Sequence, residues 1–307
     1  MSPGATLGPG DRIGFIGLGN MGVPMVRRLL GGGFTVAGFD ISGEQGTALD
    51  GAAGYERVGT LEELVTGSAA VILMVPDSTA VERVLVEAGL LEALAAHAPS
   101  AVLIDMSSSR PSETVRMAEV ATRHGVQFID APVSGGVPGA VSGSLTVMTG
   151  GEEALHERAL PALSLIGSNV VHAGGTGAGH ALKAINNLLS GASLVASSEA
   201  LLIGTRFGLD PQVMADAINE SSGRSWSTLT KWPRYIIPRT FDSGFELALL
   251  LKDIRIATDL AEQVGVPATN ARLTESLYAR AAEALPEHAD HTDIYRWVEQ
   301  TAADEEE

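Results

Sequence analysis

The sequence predicts an α/β fold, with an N-terminal doubly wound, parallel-sheet domain followed by an all-α C-terminal domain, the two joined by a long interdomain helix. Three observations carry this expectation. Short apolar runs alternate with helix-spaced segments up to about residue 175, a glycine-rich turn directly follows the first run, and beyond residue 178 only helical spacing remains. The boundaries expected are 1–175 for the sheet domain, 176–303 for the helical domain and 304–307 for an acidic, disordered tail.

The first strand is expected over Arg12–Ile16, because four of its residues are apolar or glycine and a turn signal ends it. That signal is Gly17-Leu18-Gly19-Asn20-Met21-Gly22, a G-x-G-x-x-G turn. It opens a helix over Val23–Leu30, and a second strand, Phe34–Phe39, ends at Asp40. This is the Rossmann arrangement for a dinucleotide. Gly17 permits the tight turn, Gly19 lets backbone approach a pyrophosphate, and Gly22 allows helix and strand to pack closely. The uncapped N–H groups and dipole of the helix favour the anion.

Further strands are expected at 70–75, 101–104, 126–129 and 145–149, with a last short run at Asn169–His172. Helical spacing lies between most of them, around 60–66, 79–96 and 112–123. After residue 178, Leu182, Ile185, Leu188, Leu189, Ala192, Val195, Ala196 and Leu202 mark one helix of roughly eight turns. Shorter helices are expected at about 211–220, 224–237, 246–265, 268–284 and 291–302, punctuated by Pro211, Pro233, Pro238, Pro267 and Pro286. No strand is expected in this half.

Composition excludes several functions. The net charge of −17 opposes binding to nucleic acid or anionic membranes. There is no cysteine, which removes disulfides, thiolate metal sites and cysteine nucleophiles. No uninterrupted apolar run approaches the roughly 18 residues that a membrane span needs. Met1–Gly10 reads as a loose Gly/Pro leader without a signal-peptide pattern. A soluble, cytoplasmic protein is expected.

Asp40 narrows the cofactor. It stands about 20 residues past the glycine turn, where an acid binds the adenosine ribose hydroxyls and would repel a 2′-phosphate. Ile41, Ser42 and Gly43 follow, and the next basic residue along the chain is Arg57. The expected cofactor is therefore NAD rather than NADP.

An enzyme that moves hydride to NAD from an alcohol needs a group to take the hydroxyl proton. Lys183 is the only lysine before residue 231, and it lies near the start of a mostly apolar helix. Asn187 follows one turn later on the same face, with Asn186 close by. A partly desolvated lysine can act as an acid or base near neutral pH. Ser134 with the N–H groups of Gly135 and Gly136, just past a strand end, can form an anion nest for a carboxylate. His172 and His180 flank a glycine-rich turn with no carboxylate at ligand spacing. Both are read as satisfied or solvated side chains, and no metal is expected.

Four blocks in order carry a resemblance. They are Gly14–Gly22 with Pro24-Met25; Asp130–Gly136 with Gly139-Ala-x-x-Gly143-x-Leu145-Thr146; Gly174-x-x-Gly177-x-Gly179-x-x-x-Lys183-x-x-x-Asn187; and Phe245-x-Leu247-x-x-x-x-Lys252-Asp253. With these, nearly the whole chain resembles the β-hydroxyacid dehydrogenase family, of the 3-hydroxyisobutyrate dehydrogenase type. The resemblance implies Lys183 as the catalytic acid/base, Asn187 as the residue orienting substrate, and Ser134, Gly135 and Gly136 as the carboxylate site. It implies cofactor contacts from Gly17 to Gly22 and from Asp40, from Val75-Pro76-Asp77 after the third strand, and from Ser108 where the family commonly has threonine. Phe245, Lys252 and Asp253 are implied to close over the nicotinamide. The reaction implied is reversible hydride transfer between NAD and a small carboxylate-bearing 3-hydroxy acid, of the 3-hydroxyisobutyrate or tartronate semialdehyde/glycerate type. An imine reductase usually lacks the helix lysine, and a non-catalytic dinucleotide-binding scaffold would have no use for it, so Lys183 disfavours both. A homodimer or homotetramer formed through the helical half is expected, because its long apolar helix exceeds what one small domain can bury.

Overall fold

The computed structural model describes residues 4–304, so the part of the expected acidic tail beyond Asp304 lies outside the described residues. Contacts divide the chain into two compact units, Met1–Lys183 and Ala184–Glu307.

In the first unit the chain runs β1 (Arg12–Ile16), α1 (Gly22–Gly31), β2 (Thr35–Phe39), β3 (Tyr55–Arg57), α2 (Leu61–Val65) and β4 (Ser68–Leu73). It continues through α3 (Ser78–Glu82), α4 (Leu90–His97), β5 (Val102–Asp105), α5 (Pro111–Arg123), β6 (Gln127–Asp130) and β7 (Val133–Ser134). Then follow α6 (Gly136–Ser142), β8 (Thr146–Gly150), α7 (Glu153–Ile166) and β9 (Asn169–Gly174). The nine strands form one sheet in the order β3-β2-β1-β4-β5-β6-β8-β7, with β9 also paired to β8. The order reverses between β1 and β4, which makes β1 the switch point of a doubly wound sheet.

Alternation along the strands covers both faces. Ile13, Phe15, Ile72 and Ile104 enter one core, shared with Met25, Leu29 and Leu163. Ile16, Val71, Leu73 and Leu103 enter the other, shared with Leu64, Leu94 and Met117. Side chains two apart point the same way, so a strand that feeds two cores must be apolar throughout.

The structure departs from the expectation in several places. The sheet is not parallel throughout, because β8 runs antiparallel to β6 and to β7. Between β6 and β8 the chain passes through β7 and the seven-residue α6, and β7 then pairs back antiparallel onto β8, Val133 opposite Val147 and Ser134 opposite Thr146. The three-residue β3 was not anticipated, so Val75–Asp77 follows the fourth strand, not the third. Helix α7 was also missed, with Pro161 inside it. The helix expected over 79–96 is broken into α3, a π-helical turn (Arg83–Glu87) and α4, where Gly89 at φ 79° stops it. Residues 4–10 are not loose. Leu7 is buried, its N–H donates to the Arg158 carbonyl, and Arg158 Nε donates to Ala5 O.

Helix α8 (Ala178–Phe207) is 30 residues long and runs from the first unit into the second. By length and mean hydropathy alone it could cross a membrane, which a search for uninterrupted apolar runs overlooks. Its Leu194, Val195 and Leu201 instead enter the core of the second unit, with Trp232, Ile254 and Tyr278. That unit adds α9 (Pro211–Asn219), a π-helical segment (Ser227–Ile236), α10 (Leu247–Gln263), α11 (Thr269–Ala284), a 3-10 turn (His291–Asp293) and α12 (Ile294–Asp304). The π-helical segment replaces the α-helix expected there and contains Pro233, which cannot donate to the ladder.

Candidate active site

The carboxyl edge of the parallel strands gathers most of the expected cofactor residues. After β1, Gly17 takes φ 97°, and a Cβ there would lie 2.2 Å from Met74 O. At Gly22 a Cβ would meet Gly17 O at 1.9 Å and the Phe15 ring at 3.2 Å. Both glycines are required by the turn itself. Gly19 differs, since a Cβ there would meet nothing within 4 Å. The backbone at Gly19 faces open space, and no side chain caps the start of α1. These features fit the pyrophosphate of a dinucleotide. Asn20 is exposed and Met21 half-buried, whereas the Leu18 side chain is in the core, leaving its backbone as the part near the edge.

Asp40 follows β2. Its Oδ2 accepts from Leu18 N at 2.7 Å and its Oδ1 from Ser42 N at 2.8 Å. The carboxylate is thus fixed against the glycine turn, with lone pairs left for ribose hydroxyls. Strand pairing sets Arg57 opposite Gly38, much nearer to Asp40 than chain distance implied. Its guanidinium is held by Asp50 Oδ1 at 3.0 Å and Gln45 O at 2.8 Å.

Beyond β4, Val75 N donates to Ser107 Oγ at 3.1 Å, and Asp77 caps α3 by accepting from Ala80 N at 3.0 Å. Pro76 is exposed and Ser108, after β5, is half-buried. Ser134 is half-buried on β7. Gly135 and Gly136 take φ 130° and 62° and lead into α6, so the stretch read as an anion nest lies between the short strand β7 and a helix start.

Lys183 is half-buried in the second turn of α8. The first turn is held by a buried cluster that sequence reasoning did not find. Asp130, at the end of β6, accepts from Gly177 N at 2.7 Å and from His180 N at 2.9 Å. The His180 ring lies 2.9 Å from Thr114 Oγ1 through Nδ1 and 3.0 Å from Ser107 O through Nε2. A carbonyl only accepts, so Nε2 carries a proton. Burial pushes the Asp130 carboxyl up, opposed by His180 and by the two N–H donors. The cluster joins residues far apart in the chain, and the Asp130 of the DAPVSGG block was its one visible sign.

In the second unit Asn187 is buried and its Nδ2 donates to Asp253 Oδ2 at 2.6 Å, while its Oδ1 accepts from Asn186 at 3.1 Å. Asp253 is itself buried, with Lys252 Nζ 3.5 Å from its Oδ1. It contacts Asn187 directly. Phe245 is set by Asp290, which accepts from Ser243 Oγ, Gly244 N, Phe245 N and Thr292. His291 donates its N–H to Phe245 O and stands edge-on to the Phe245 ring. The Asp290/Asp293 capping box was a sequence signal for this support.

Burial, together with Lys231, pushes His291 down to about 4, against the opposing pull of Asp290 and the Phe245 carbonyl. The unfolded ring titrates near 6.5. A depressed pKa means that the unfolded chain takes the proton first, so this stability is complete above pH 6.5 and lost as pH falls towards 4. The loss amounts to at most roughly 3 kcal/mol. Thermal melts should therefore fall as pH drops below 6.5, and His291→Gln should make that limb shallower, with the lowered His156 contributing the remainder in the same direction. A mutant with the same slope as wild type would remove His291 as its cause.

Comparison with known proteins agrees with this geometry. The family model for the NAD binding domain of 6-phosphogluconate dehydrogenase matches residues 12–175. The model for the NAD-binding of NADP-dependent 3-hydroxyisobutyrate dehydrogenase matches residues 177–298. The chain is 40% identical to the 2-(hydroxymethyl)glutarate dehydrogenase of Eubacterium barkeri over 256 residues, 83% of this chain and 84% of that one. It is 34% identical to an NAD-dependent L-serine dehydrogenase of Pseudomonas aeruginosa, over 87% of this chain and 91% of that one. The solved structure of the Mycobacterium tuberculosis 3-hydroxyisobutyrate dehydrogenase with L-serine superposes with a TM-score of 0.82 at 32% identity, covering 94% and 99% of the two chains. The chain therefore belongs to the β-hydroxyacid dehydrogenase family, as an NAD-binding oxidoreductase that acts on the CH–OH group.

Proposed function

We propose that this enzyme reversibly oxidises the primary alcohol of a small 3-hydroxy acid to the semialdehyde, with Lys183 as the proton-transfer group. The observation that carries the assignment is the pairing of Lys183 with Asn187 one turn further along α8, where Asn187 is clamped by the buried Asp253. Bound NAD supplies the hydride acceptor. Lys183 Nζ takes the hydroxyl proton on oxidation and returns it on reduction. Asn187, with one amide N–H given to Asp253, keeps its second for the substrate oxygen, so Asp253 acts by orienting Asn187. Ser134 and the N–H groups of Gly135 and Gly136 hold the carboxylate. Phe245 and Lys252 line the nicotinamide end, and Gly17–Gly22, Asp40, Val75–Asp77 and Ser108 line the rest of the cofactor. The dinucleotide-binding domain is assigned to 1–175, which also supplies the carboxylate site, and the helical substrate and oligomerisation domain to 176–303.

The compounds named for the relatives, 2-(hydroxymethyl)glutarate, 3-hydroxyisobutyrate and L-serine, share one unit. Each carries a CH2OH group on the carbon next to a carboxylate. That unit, also present in glycerate, is the substrate class proposed here, and its use would fit a cytoplasmic enzyme. Assay of these acids with NAD against 2-hydroxy acids and 4-hydroxybutyrate tests it. Turnover confined to the CH2OH–CH–COO⁻ class is expected, and a preference for 4-hydroxybutyrate would overturn it.

Assembly as a homodimer or homotetramer is part of the proposal. Leu182, Ile185, Leu189, Ile203 and Phe207 form an exposed apolar stripe on one face of α8, with Phe207 84% exposed. A stripe of this kind marks an interaction surface. Light scattering at micromolar concentration should give at least twice the 31.7 kDa chain mass. A monomer would sink the idea.

A further inference from the structure

We propose that His180 is a positioning residue that ties the two loops at the cofactor edge to the start of the helix carrying Lys183. The inference rests on the roles proposed above for Lys183, Val75–Asp77 and Ser108. The ring is fully buried, and its contacts lead in two directions. Through Nε2 it donates to Ser107 O at 3.0 Å, and the same Ser107 accepts from Val75 N through Oγ at 3.1 Å. Ser107 N in turn donates to Asp105 Oδ1 at 2.9 Å. One residue thus links the His180 ring to the loop after β4 and to the loop after β5.

In the other direction, His180 N and Gly177 N donate to the Asp130 carboxylate, which caps α8 from a distant strand. The backbone makes room for that carboxylate. A Cβ at Gly150 would lie 2.6 Å from Asp130 Oδ1, and one at Gly179 would lie 2.7 Å from Oδ2. Capping needs only the carboxylate and the two N–H groups. It does not need an imidazole reaching to Ser107, and that extra contact points to a role in positioning. Lys183 lies three residues after His180, so a shift of the first turn moves the lysine with it.

The test uses two amides in the full-length protein. In His180→Gln the side-chain NH2 reaches close to the depth of Nε2 and can still donate to Ser107 O. In His180→Asn the amide stops at the depth of Nδ1 and can meet only Thr114. NADH affinity by fluorescence, kcat and melting temperature are measured for both. His180→Gln should stay within about threefold of wild type in both affinity and kcat, whereas His180→Asn should lose about tenfold in each. Two amides that behave alike, both near wild type or both equally impaired, overturn the proposal. If the Asn variant does not fold, Ser107→Ala removes the Val75 link alone and should weaken NADH binding several-fold. Unchanged NADH affinity in Ser107→Ala is then the overturning result. Lys183→Ala is run beside them. Normal kcat there removes the assignment of Lys183, while the amide contrast in NADH affinity still judges His180.

Discussion

Lys183→Ala should lower kcat by about 10²–10⁴-fold while NADH affinity changes little. The substitution is mild for the fold. Alanine is the best helix former, so α8 is not weakened locally, and Lys183 is only half-buried. An unchanged melting temperature beside the lower kcat would mark the loss as chemical. Lys183→Arg should not rescue, because a guanidinium stays protonated and cannot accept the hydroxyl proton. The pH profile of alcohol oxidation should rise with the deprotonation of one group, and that limb should vanish in both mutants. A lysine that only anchors the carboxylate by charge gives a different pattern, in which KM rises, kcat largely survives and arginine partly substitutes. Steady-state kinetics and nucleotide affinity for the two variants separate these cases. Near-normal kcat in Lys183→Ala would remove the central residue from the mechanism.

The wild-type enzyme should prefer NAD over NADP by about 10²-fold or more, since a 2′-phosphate facing the Asp40 carboxylate meets a like charge worth several kcal/mol. Asp40 cannot easily swing away, because both oxygens are held by backbone N–H groups of Leu18 and Ser42. Strand pairing brings Arg57 near, but its Nε and Nη1 are held by Asp50 and Gln45 O. Ile41 is 91% exposed, so Asp40→Ala with Ile41→Arg introduces a guanidinium without disturbing the core. The double variant should erode or reverse the preference, read as the ratio of kcat/KM for the two cofactors. Equal use of both by the wild type would show that Asp40 is a turn residue and no more.

The features legible in the sequence are those that short windows encode. Apolar runs of strand length, Gly17 and Gly22 at positions where a Cβ would strike backbone, and the helical period from 178 onward are all local properties. They placed β1, the glycine turn, α1, the other long strands and α8, and they set Lys183 and Asn187 on one helical face. Short or mixed elements escaped. β3 is three residues long with Glu56 and Arg57 in it, α6 is rich in glycine, and α7 carries Pro161, so none shows a clean period.

Partnership between distant polar atoms was decided only by the tertiary structure. His180 looked like an ordinary satisfied histidine, yet the fold sets its ring between Thr114 and Ser107 and its N–H on Asp130. Asp253, expected over the nicotinamide, is buried against Asn187. Arg57 reached the neighbourhood of Asp40 through a strand pairing that chain distance hides. The reason is physical. Backbone sterics and side-chain period act over a few residues and are written in any short stretch, whereas a buried polar group must be satisfied by whichever strands and helices pack beside it, and that neighbourhood exists only once the sheet has formed.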